Sequence, residues 1–295
     1  MVNANDAKGR IVGMDINTVT RTVEINGEHF PVVDFGTGPA VLLLHGFPDS
    51  RFLWRYQLPV LAAAGFRVIA PDLRGFGEAP RPTEVRAYRR PFIVADILGI
   101  LDALGLKRPH LVGHDWGAAL TWHLAGSYPD KFDRVVVLSV GAPTSPGWDT
   151  IEQREKSWYF DFFIKAGIAE KELKADNWKL FREWSRGQGD QERYVRDLAR
   201  PGALTAALNW YRAAFTPLPP HEAPLPQLPS WDRIRTPVLA VWSDGDLFLL
   251  EPQMALSAGV VEAPWRYERI TGAGHWMMLE KPEVLNRLLI DFLKA

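Results

Sequence analysis

Short apolar runs separated by helical segments constrain the fold of this chain more than any other feature of the sequence. The runs are too short for buried helices and are rich in valine, leucine and isoleucine, which is typical of strands buried on both faces. They lie at residues 40–46, 66–72, 109–115 and 134–140, and helical patterns occupy 91–104 and 116–128. Strand, helix and strand in this order predict a mainly parallel sheet flanked by helices.

The sequence predicts a β-hairpin ahead of these strands. Residues 19–25 and 28–35 both have strand-like composition, and Asn26-Gly27 lies between them. Asparagine followed by glycine favours a type I′ turn, because both residues readily adopt the positive φ angles that this turn requires. We therefore expect two strands joined at this dipeptide.

The alternation of strands and helices stops after Pro143. Residues 151–215 have helical patterns throughout and no credible strand. The proline-rich stretch 216–229 that follows is typical of a semi-rigid linker. This order indicates a helical insertion whose chain returns to the sheet through the linker.

Strand and helix patterns return after the linker, at 236–243, 265–270 and from about 281. The chain is long enough for one α/β domain with a sizeable core and an insertion. We therefore expect an α/β core made of residues 1–144 and 219–295, interrupted by a helical cap at residues 145–218.

Composition excludes several classes of function. The formal net charge is −1 with no run of like charges, so neither nucleic acid nor an anionic membrane is an expected partner. There is no cysteine, and the seven histidines show no metal-ligand spacing, so we expect no disulfide, metal or cofactor. The first ten residues lack the apolar segment of a signal peptide. We expect a cytoplasmic protein, and the sequence leaves a homodimer open.

The stretch GHDWG at 113–117 has the outline of a nucleophile elbow, in which a catalytic residue lies between two glycines at a strand-to-helix turn. Most hydrolases of this shape have serine where this chain has Asp115. No Gly-x-Ser-x-Gly occurs in the sequence, so a serine hydrolase is not expected. An aspartate before a helix is often only an N-cap, and Asp115 alone does not decide between the two interpretations.

Two later residues support the catalytic interpretation. A nucleophile elbow predicts an acid and then a histidine further along the chain. The loop after the strand at 236–243 offers Asp244 and Asp246, and the loop after the last strand offers His275. A turn aspartate or a loop histidine is common by itself. Three such residues in this order, each after a strand, predict a triad of Asp115, Asp246 and His275.

Five motifs spread over nearly the whole chain support the same interpretation: HGFPDS at 45–50, DLRGFGEAP at 72–80, GHDWGAA at 113–119, WSDGDLF at 242–248 and GAGHWMMLEKPE at 272–283. Together they resemble the α/β-hydrolases of the soluble epoxide hydrolase and haloalkane dehalogenase group. The resemblance implies an α/β-hydrolase fold, a mostly parallel sheet flanked by helices with an inserted all-helical cap.

The same resemblance implies a role for each triad residue. Asp115 is the nucleophile, His275 is the base, and Asp246 orients the base. Asp246 is preferred to the earlier aspartate because the family's acid usually falls four residues after the tryptophan that ends this strand, here Trp242. Ser243 departs from the family, which often has glycine at that position.

A carboxylate nucleophile fits displacement at a saturated carbon. Serine would form an ether, which water does not readily cleave, whereas aspartate forms an ester, which histidine-activated water can hydrolyse. Asp115 therefore indicates an epoxide or an alkyl halide as substrate. Ester hydrolysis builds negative charge on Asp115 itself, so an oxyanion hole is expected from the backbone N–H groups of Trp116 and Phe47. In the family that the chain resembles, the bond before Pro48 tends to be cis.

The choice between epoxide and halide depends on a proton donor. An epoxide oxygen leaves as an alkoxide and needs a general acid, whereas a halide needs only N–H donors. Helical tyrosines are more often core aromatics. However, WYFDFFIKAGIAE and NWYR resemble the cap segments that carry the paired tyrosines of epoxide hydrolases, which bind and protonate the epoxide oxygen. The resemblance gives this role to Tyr159 and Tyr211, not to Tyr194, and leaves open which is the main donor.

Two alternatives remain open. Haloalkane dehalogenases share this elbow, including Trp116, but usually have asparagine after the His-Gly pair or a second cap tryptophan as halide donor. Here Phe47 follows that pair, and the cap contains tryptophans 158, 178, 184 and 210. A catalytically silent ligand-binding member would commonly lack one triad residue. We therefore predict an epoxide hydrolase that acts on a small-molecule epoxide with water.

Four further residues of these motifs are interpreted as structural. His45 belongs to the first motif, and Asp72 and Arg74 belong to the second, where a loop and salt bridges are expected. His114 precedes the predicted nucleophile, and we expect its side chain to pack or to form a local hydrogen bond.

Overall fold

An eight-stranded β-sheet forms the framework of the protein in the computed structural model, which describes residues 15–295. Residues 1–14 lie outside the described residues. The predicted start of the core at residue 1 and the expectation that there is no signal peptide both concern those residues. The strands are β1 (Thr20–Ile25), β2 (Glu28–Gly36), β3 (Ala40–Leu44), β4 (Arg67–Pro71), β5 (His110–His114), β6 (Val135–Leu138), β7 (Val238–Gly245) and β8 (Trp265–Gly274). Their order across the sheet is β1-β2-β4-β3-β5-β6-β7-β8.

The sheet is parallel from β4 across to β8, and β2 runs antiparallel to both of its neighbours. The predicted mainly parallel sheet is therefore confirmed. β1 and β2 form the predicted hairpin, in which Ile25 pairs with Glu28 across the turn. Asn26 and Gly27 have φ angles of 54° and 80°, as a type I′ turn requires.

Helices flank the sheet and fill the connections between parallel strands. They are α1 (Leu58–Ala63), α2 (Arg90–Ala103), α3 (Trp116–Ser127), α4 (Ile151–Lys156), α5 (Tyr159–Phe163), α6 (Ile168–Trp184), α7 (Gln191–Leu198), α8 (Ala203–Phe215), α9 (Glu251–Ala255), α10 (Met277–Glu280) and α11 (Pro282–Lys294). None of the helices within residues 15–295 combines the length and apolar character that crossing a membrane would need.

Helices α4 to α8 form one insertion between β6 and β7, which we call the cap. Residues 151–215 contain no strand, and the stretch 216–229 that follows has neither helix nor strand, as the sequence predicts. Arg89 holds the start of this linker, because its guanidinium donates to the carbonyl groups of Ala213, Thr216 and Pro217. The linker is therefore fixed to the core at the end of α8.

The central strands are buried on both faces and end at nearly the same level. Every residue of β6 has no exposed surface, which explains why the sequence shows an unbroken apolar run there. Leu44 pairs with Gly113, and Leu138 pairs with both His114 and Val241. Because these strands are parallel, the loops after β3, β5 and β7 meet at one edge of the sheet.

Candidate active site

Asp115 lies at a sharp turn between β5 and α3, with φ of 54° and ψ of −121°. Such a positive φ is strained for a residue other than glycine, and catalytic turns often store strain of this kind. The turn also packs very closely. A Cβ atom on Gly113 would lie 2.2 Å from the Gly117 carbonyl oxygen, and one on Gly117 would lie 2.1 Å from that of Leu44. There is therefore no space for a side chain at either glycine of the elbow.

The Asp115 carboxylate binds the loop after β3 and does not cap α3. Its side chain accepts no hydrogen bond from the first turn of the helix. Instead, Oδ1 accepts a hydrogen bond of 2.7 Å from the Phe47 N–H, and the Phe47–Pro48 bond is cis. Trp116 begins α3, so its N–H is among the donors that a helix leaves without an intrahelical acceptor. Both predicted oxyanion donors thus belong to backbone that adjoins this carboxylate.

The structure brings His275 between two carboxylates. His275 follows β8, and its Nε2 lies 3.6 Å from Asp115 Oδ2. Its Nδ1 donates to Asp246 Oδ2 over 3.0 Å. The second oxygen of Asp246 accepts hydrogen bonds from the N–H groups of Phe248 and Leu249. The acid is therefore fixed by its own loop, and it fixes the direction of the imidazole in turn.

The other candidate acid, Asp244, forms no ion pair with His275 and binds a backbone group in β8 instead. Its Oδ1 accepts a hydrogen bond of 2.8 Å from the Gly272 N–H. Ser243, the residue that departs from the family pattern, donates 2.6 Å from its hydroxyl to the Gly274 carbonyl. This bond ties the end of β7 to the residue before His275, so the serine has a structural contact that glycine could not make.

The charges of this group shift the pKa values of its members. Burial lowers the pKa of His275, but the negative charges of Asp246 and Asp115 outweigh it and raise the pKa to about 10. Burial raises the pKa of Asp246, but the His275 charge and the loop hydrogen bonds outweigh it, and the net pKa lies below the usual value. With no substrate bonded to Asp115, the site therefore favours a protonated His275 between two carboxylates.

Tyr159 and Tyr211 come from different cap helices, α5 and α8, and meet above the elbow. Their ring centroids are 6.0 Å apart, and the Tyr211 ring lies 5.1 Å from that of Trp116. Both side chains are buried. Burial, and after it the nearby carboxylate charges, raise the pKa of Tyr159 well above its usual value. The pKa of Tyr211 is raised in the same direction, chiefly by burial, so both hydroxyls keep their protons at neutral pH.

A cavity of about 110 Å³ lies between the elbow and the cap. Asp115 and both tyrosines line it, and the rest of its wall is apolar or aromatic: Trp116, Ala119, Val140, Trp148, Phe160, Phe215 and Leu249. A carboxylate, two phenols and an apolar wall can therefore meet one small molecule here. Tyr194 does not reach this cavity, since its hydroxyl donates to Asp49 at 3.2 Å.

His114 is fully buried and packs against the ring of His275, as one of the two expected alternatives had it. Its hydrogen bond is not local in the sequence, because Nε2 donates 2.9 Å to the carbonyl oxygen of His275, which lies 161 residues further along the chain. Burial, and after it the charge of His275, lowers the pKa of His114 to about 3, so this ring is a neutral donor. The residue before the elbow aspartate thus holds the backbone of the base.

The other residues interpreted as structural have structural contacts. His45 accepts a hydrogen bond of 3.0 Å from the Leu73 N–H and so joins the first motif to the second. Asp72 forms a buried ion pair with Arg51. Arg74 donates to Asp96 at 2.7 Å.

The sequence gives no notice of two polar residues next to His275, the half-buried Gln188 and the buried Asp49. Gln188, in the cap loop between α6 and α7, accepts a hydrogen bond from the His275 N–H. Asp49 accepts a hydrogen bond of 2.7 Å from the indole N–H of Trp276, the residue after the base. The signals that could have found them are weak: Gln188 is a polar residue between two glycines, and Asp49 ends the HGFPD stretch.

The fold and the elbow together define the class of protein. A family description of the alpha/beta hydrolase fold matches residues 39–282, which is most of the chain. The chain belongs to the α/β-hydrolase family. Its relatives and structural neighbours indicate which group of this family the chain belongs to.

Epoxide hydrolase A of Mycobacterium tuberculosis is 33% identical over 316 residues, covering 92% of this chain and 96% of that protein. Bifunctional epoxide hydrolase 2 of Sus scrofa is 32% identical over 90% of this chain, which spans only 53% of that relative's length. A solved epoxide hydrolase from metagenomes of hot environments superposes with a TM-score of 0.81 at 29% identity, covering 93% of this chain and 98% of that one. Within its family, the chain is an enzyme of the epoxide hydrolase group.

Proposed function

We propose that this enzyme hydrolyses an epoxide to a vicinal diol through a covalent ester on Asp115. One observation carries the proposal: a carboxylate occupies the nucleophile position, 3.6 Å from an imidazole and in a cavity that two cap tyrosines share. A carboxylate there suits attack on saturated carbon, and the phenols suit an oxygen leaving group. The curated relatives named as epoxide hydrolases support the same assignment.

In the first step, Asp115 opens the epoxide ring. Oδ1 stays with the Phe47 N–H, and Oδ2 attacks one ring carbon, so that a C–O ester bond forms as the C–O bond of the ring breaks. The ring oxygen would leave as an alkoxide, and Tyr159 or Tyr211 donates a proton to it. The product of this step is a hydroxyalkyl ester of Asp115. The phenol regains its proton from the His275 imidazolium or from solvent.

In the second step, water cleaves the ester. Neutral His275 takes a proton from a water molecule, whose oxygen attacks the ester carbonyl carbon of Asp115. The negative charge that develops on Oδ1 is stabilised by the N–H groups of Phe47 and Trp116. Collapse breaks the bond between the ester carbon and the alkyl oxygen, and the diol leaves with the proton returned by the imidazolium. The new Asp115 carboxylic acid then gives its proton to His275, which restores the carboxylate and the imidazolium.

Haloalkane hydrolysis is a second candidate because Trp116, whose indole N–H could bind a halide, lines the cavity. The other indole in its wall is already engaged, since Trp148 donates to the Ala142 carbonyl at 2.9 Å. The cap residue Trp210 likewise donates to the Arg74 carbonyl. Two phenols that remain protonated fit an alkoxide better than a halide. The complete triad also argues against a silent binding protein.

The cavity favours neutral epoxides with one compact apolar substituent. Apart from Asp115 and the two tyrosines, the wall of the cavity is apolar or aromatic, which suits a neutral apolar substituent. Asp115 is the one charged side chain among the described residues that line the cavity, so nothing there would pair with a substrate carboxylate. We therefore expect styrene oxide to be a better substrate than a glycidate anion.

A substrate panel tests the class of reaction. It contains styrene oxide, an aliphatic epoxide, a bromoalkane and a p-nitrophenyl ester, assayed for diol, halide and nitrophenol release. We expect diol from the epoxides without halide release. Halide release at comparable rates would favour the dehalogenase, and no turnover of any member would contradict both assignments.

The source of the product oxygen tests the covalent step. One turnover is run in ¹⁸O-water with enzyme in excess, and both the diol and the peptide containing Asp115 are analysed by mass spectrometry. On the ester route the first diol carries an unlabelled Asp115 oxygen, and the label enters the carboxylate. Labelled diol in the first turnover would mean direct attack by water and would overturn the covalent mechanism.

A further inference from the structure

A short cap loop, residues 186–190 with the sequence RGQGD, reaches the backbone of the base. It connects α6 to α7, and its central side chain is that of Gln188. The Gln188 Oε1 accepts a hydrogen bond of 2.9 Å from the His275 N–H. The Nε2 of the same amide donates 3.1 Å to the Gly245 carbonyl, which directly precedes Asp246. We call these two bonds the Gln188 bridge.

The loop is shaped to hold this amide in place. Gly187 and Gly189 have φ angles of 77° and 74°, so the chain turns sharply on both sides of Gln188. A Cβ atom on Gly189 would lie 2.6 Å from the Tyr194 hydroxyl oxygen. A Cβ atom on Gly274 would lie only 2.2 Å from the Gln188 Oε1. The glycine before the base therefore leaves the space that the amide occupies.

The Gln188 bridge completes the support of the base. His114 in the core holds the carbonyl of His275, and Gln188 in the cap holds its N–H. The pairing of β7 with β8 is irregular between Ser243 and Gly245, so regular strand pairing does not fix the two segments at this point. The cap amide therefore adds to the Ser243 and Asp244 hydrogen bonds, and it is the contact that holds the backbone N–H of His275 itself.

We propose that Gln188 is a positioning residue that acts through His275 on ester hydrolysis and not on ring opening. This inference rests on the proposed function, because it assumes an ester on Asp115. Ring opening uses Asp115, which the elbow and the Phe47 N–H hold, together with the cap tyrosines. Ester hydrolysis requires His275 Nε2 to aim at a water molecule, and its aim depends on the backbone that Gln188 holds.

The size of the effect follows from the geometry that catalysis needs. A shift of about 1 Å in a catalytic group can cost about 100-fold in rate. The bond of Nδ1 to Asp246 survives the loss of Gln188 and keeps part of the orientation. We therefore expect Gln188→Met, which keeps the side-chain length and removes both bonds, to slow ester hydrolysis about 10- to 100-fold. Ring opening should stay within about threefold of the wild-type rate.

The experiment measures both steps separately. Enzyme and styrene oxide are mixed in a single turnover, quenched at intervals, and the intact-protein mass gives the rise and decay of the alkyl-enzyme. We expect the ester to accumulate in Gln188→Met and to decay slowly. The matched control is Gln57→Met, because Gln57 is a buried amide that donates to the Met278 carbonyl, three residues after the base. Gln57→Met should leave the ratio of the two rates as in the wild type.

Each outcome has one meaning. His275→Gln comes first, and if it traps no ester from any epoxide, the proposed function fails before Gln188 is tested. If His275→Gln traps ester while Gln188→Met keeps the wild-type ratio, or slows both steps equally, the inference about Gln188 is wrong and the proposed function stands. If Gln188→Met does not fold, Gln188→Asn replaces it, since its shorter side chain cannot span both acceptor and donor, and the same two results apply.

Discussion

One imidazole lies between two carboxylates, and in the proposed mechanism this arrangement would determine when His275 can act as a base. With Asp115 and Asp246 both ionised, the pKa of His275 is raised to about 10 and the ring carries a proton. An ester on Asp115 removes one of the two negative charges. The pKa of His275 must then fall, because one cause of its elevation has gone. In the proposed mechanism, formation of the ester would therefore free His275 to act as the base that hydrolyses it.

This charge relation predicts the titration of an Asp115→Asn variant. The neutral amide stands in for the neutral ester, so we expect the pKa of His275 to lie below the wild-type value. The loss of the proton should therefore move to lower pH, as followed by the NMR signal of the imidazole ring. Asp244→Asn is the control, because that carboxylate binds the Gly272 N–H and does not contact the imidazole. Equal pKa values in wild type and Asp115→Asn would contradict the mechanism of release.

The two cap tyrosines predict a second result at the same scale. Tyr159→Phe and Tyr211→Phe each remove one phenol from the cavity, and the main proton donor should cost about 10²- to 10⁴-fold in the rate of ring opening. The double variant should be slower than either, because both phenols serve one oxygen. Tyr194→Phe is the control, since its hydroxyl binds Asp49 outside the cavity. Unchanged single-turnover rates in the double variant would identify the pair as core aromatics.

At the scale of elements, the cap is joined to the loops that carry Asp246 and His275 as well as to the sheet. Two side chains of helix α4 donate to the loop that carries Asp246. Lys156 Nζ donates to the Asp246 carbonyl at 3.1 Å, and Gln153 Nε2 donates to the Phe248 carbonyl at 2.8 Å. Gln188 joins the next cap loop to the base. The acid and the base are therefore each held from the cap side, and a disturbance of the cap reaches both.

The helices and strands could be predicted from the sequence, but the hydrogen bonds between the cap and these loops could not. Strands have a local signal in their apolar runs, and Asn26-Gly27 defines a turn by itself. The meeting of Asp115, Asp246 and His275 could be anticipated because parallel strands bring their carboxyl ends to one edge of the sheet. Gln188 has no such signal. A polar residue between two glycines predicts only a turn, and its partners lie 57 and 87 residues away in the chain.

The linker predicts a result at the element scale. Arg89 binds three carbonyl groups where α8 ends and the linker begins, so Arg89→Ala leaves unpaired acceptors there. We expect a loss of about 1–3 kcal/mol in the free energy of unfolding. Hydrogen exchange should quicken in the peptide spanning 212–224. Arg108→Ala, at a largely exposed ion pair with Asp133, is the control. Equal exchange in both variants would mean that the arginine does not fix the linker.

At the scale of the whole molecule, one buried carboxylate joins the core to the cap. Asp49 accepts hydrogen bonds from Trp276 in the core and from Tyr194 in the cap. Burial raises the pKa of Asp49 to about 7, although both hydrogen bonds and Arg55 oppose the shift. The folded protein therefore prefers Asp49 neutral up to about neutral pH, whereas in the unfolded chain the carboxyl has its ordinary pKa of 3.8.

The sign of the resulting pH dependence follows directly. A folded pKa above the unfolded pKa means that the wild type loses stability as pH rises from about 4 to 7, by about 1.4 kcal/mol for each pKa unit. Asp49→Asn has no such titration. We expect its Tm relative to wild type to increase between pH 5 and pH 8, measured by calorimetry. The exposed Asp102→Asn should show no such trend. A difference in Tm that is constant with pH would contradict the shifted pKa.

The bond between the Phe47 N–H and Asp115 Oδ1 makes the two oxygens of one carboxylate unequal. If the carboxylate does not rotate between turnovers, Oδ1 stays with the protein indefinitely, while the other oxygen leaves in each diol and is replaced from water. Every product would then carry the oxygen of the water consumed one cycle earlier. After many cycles in ¹⁸O-water, the Asp115 carboxylate should contain one ¹⁸O atom and not two. The fold would thus make one oxygen of the Asp115 side chain permanent, while the other is replaced in every cycle.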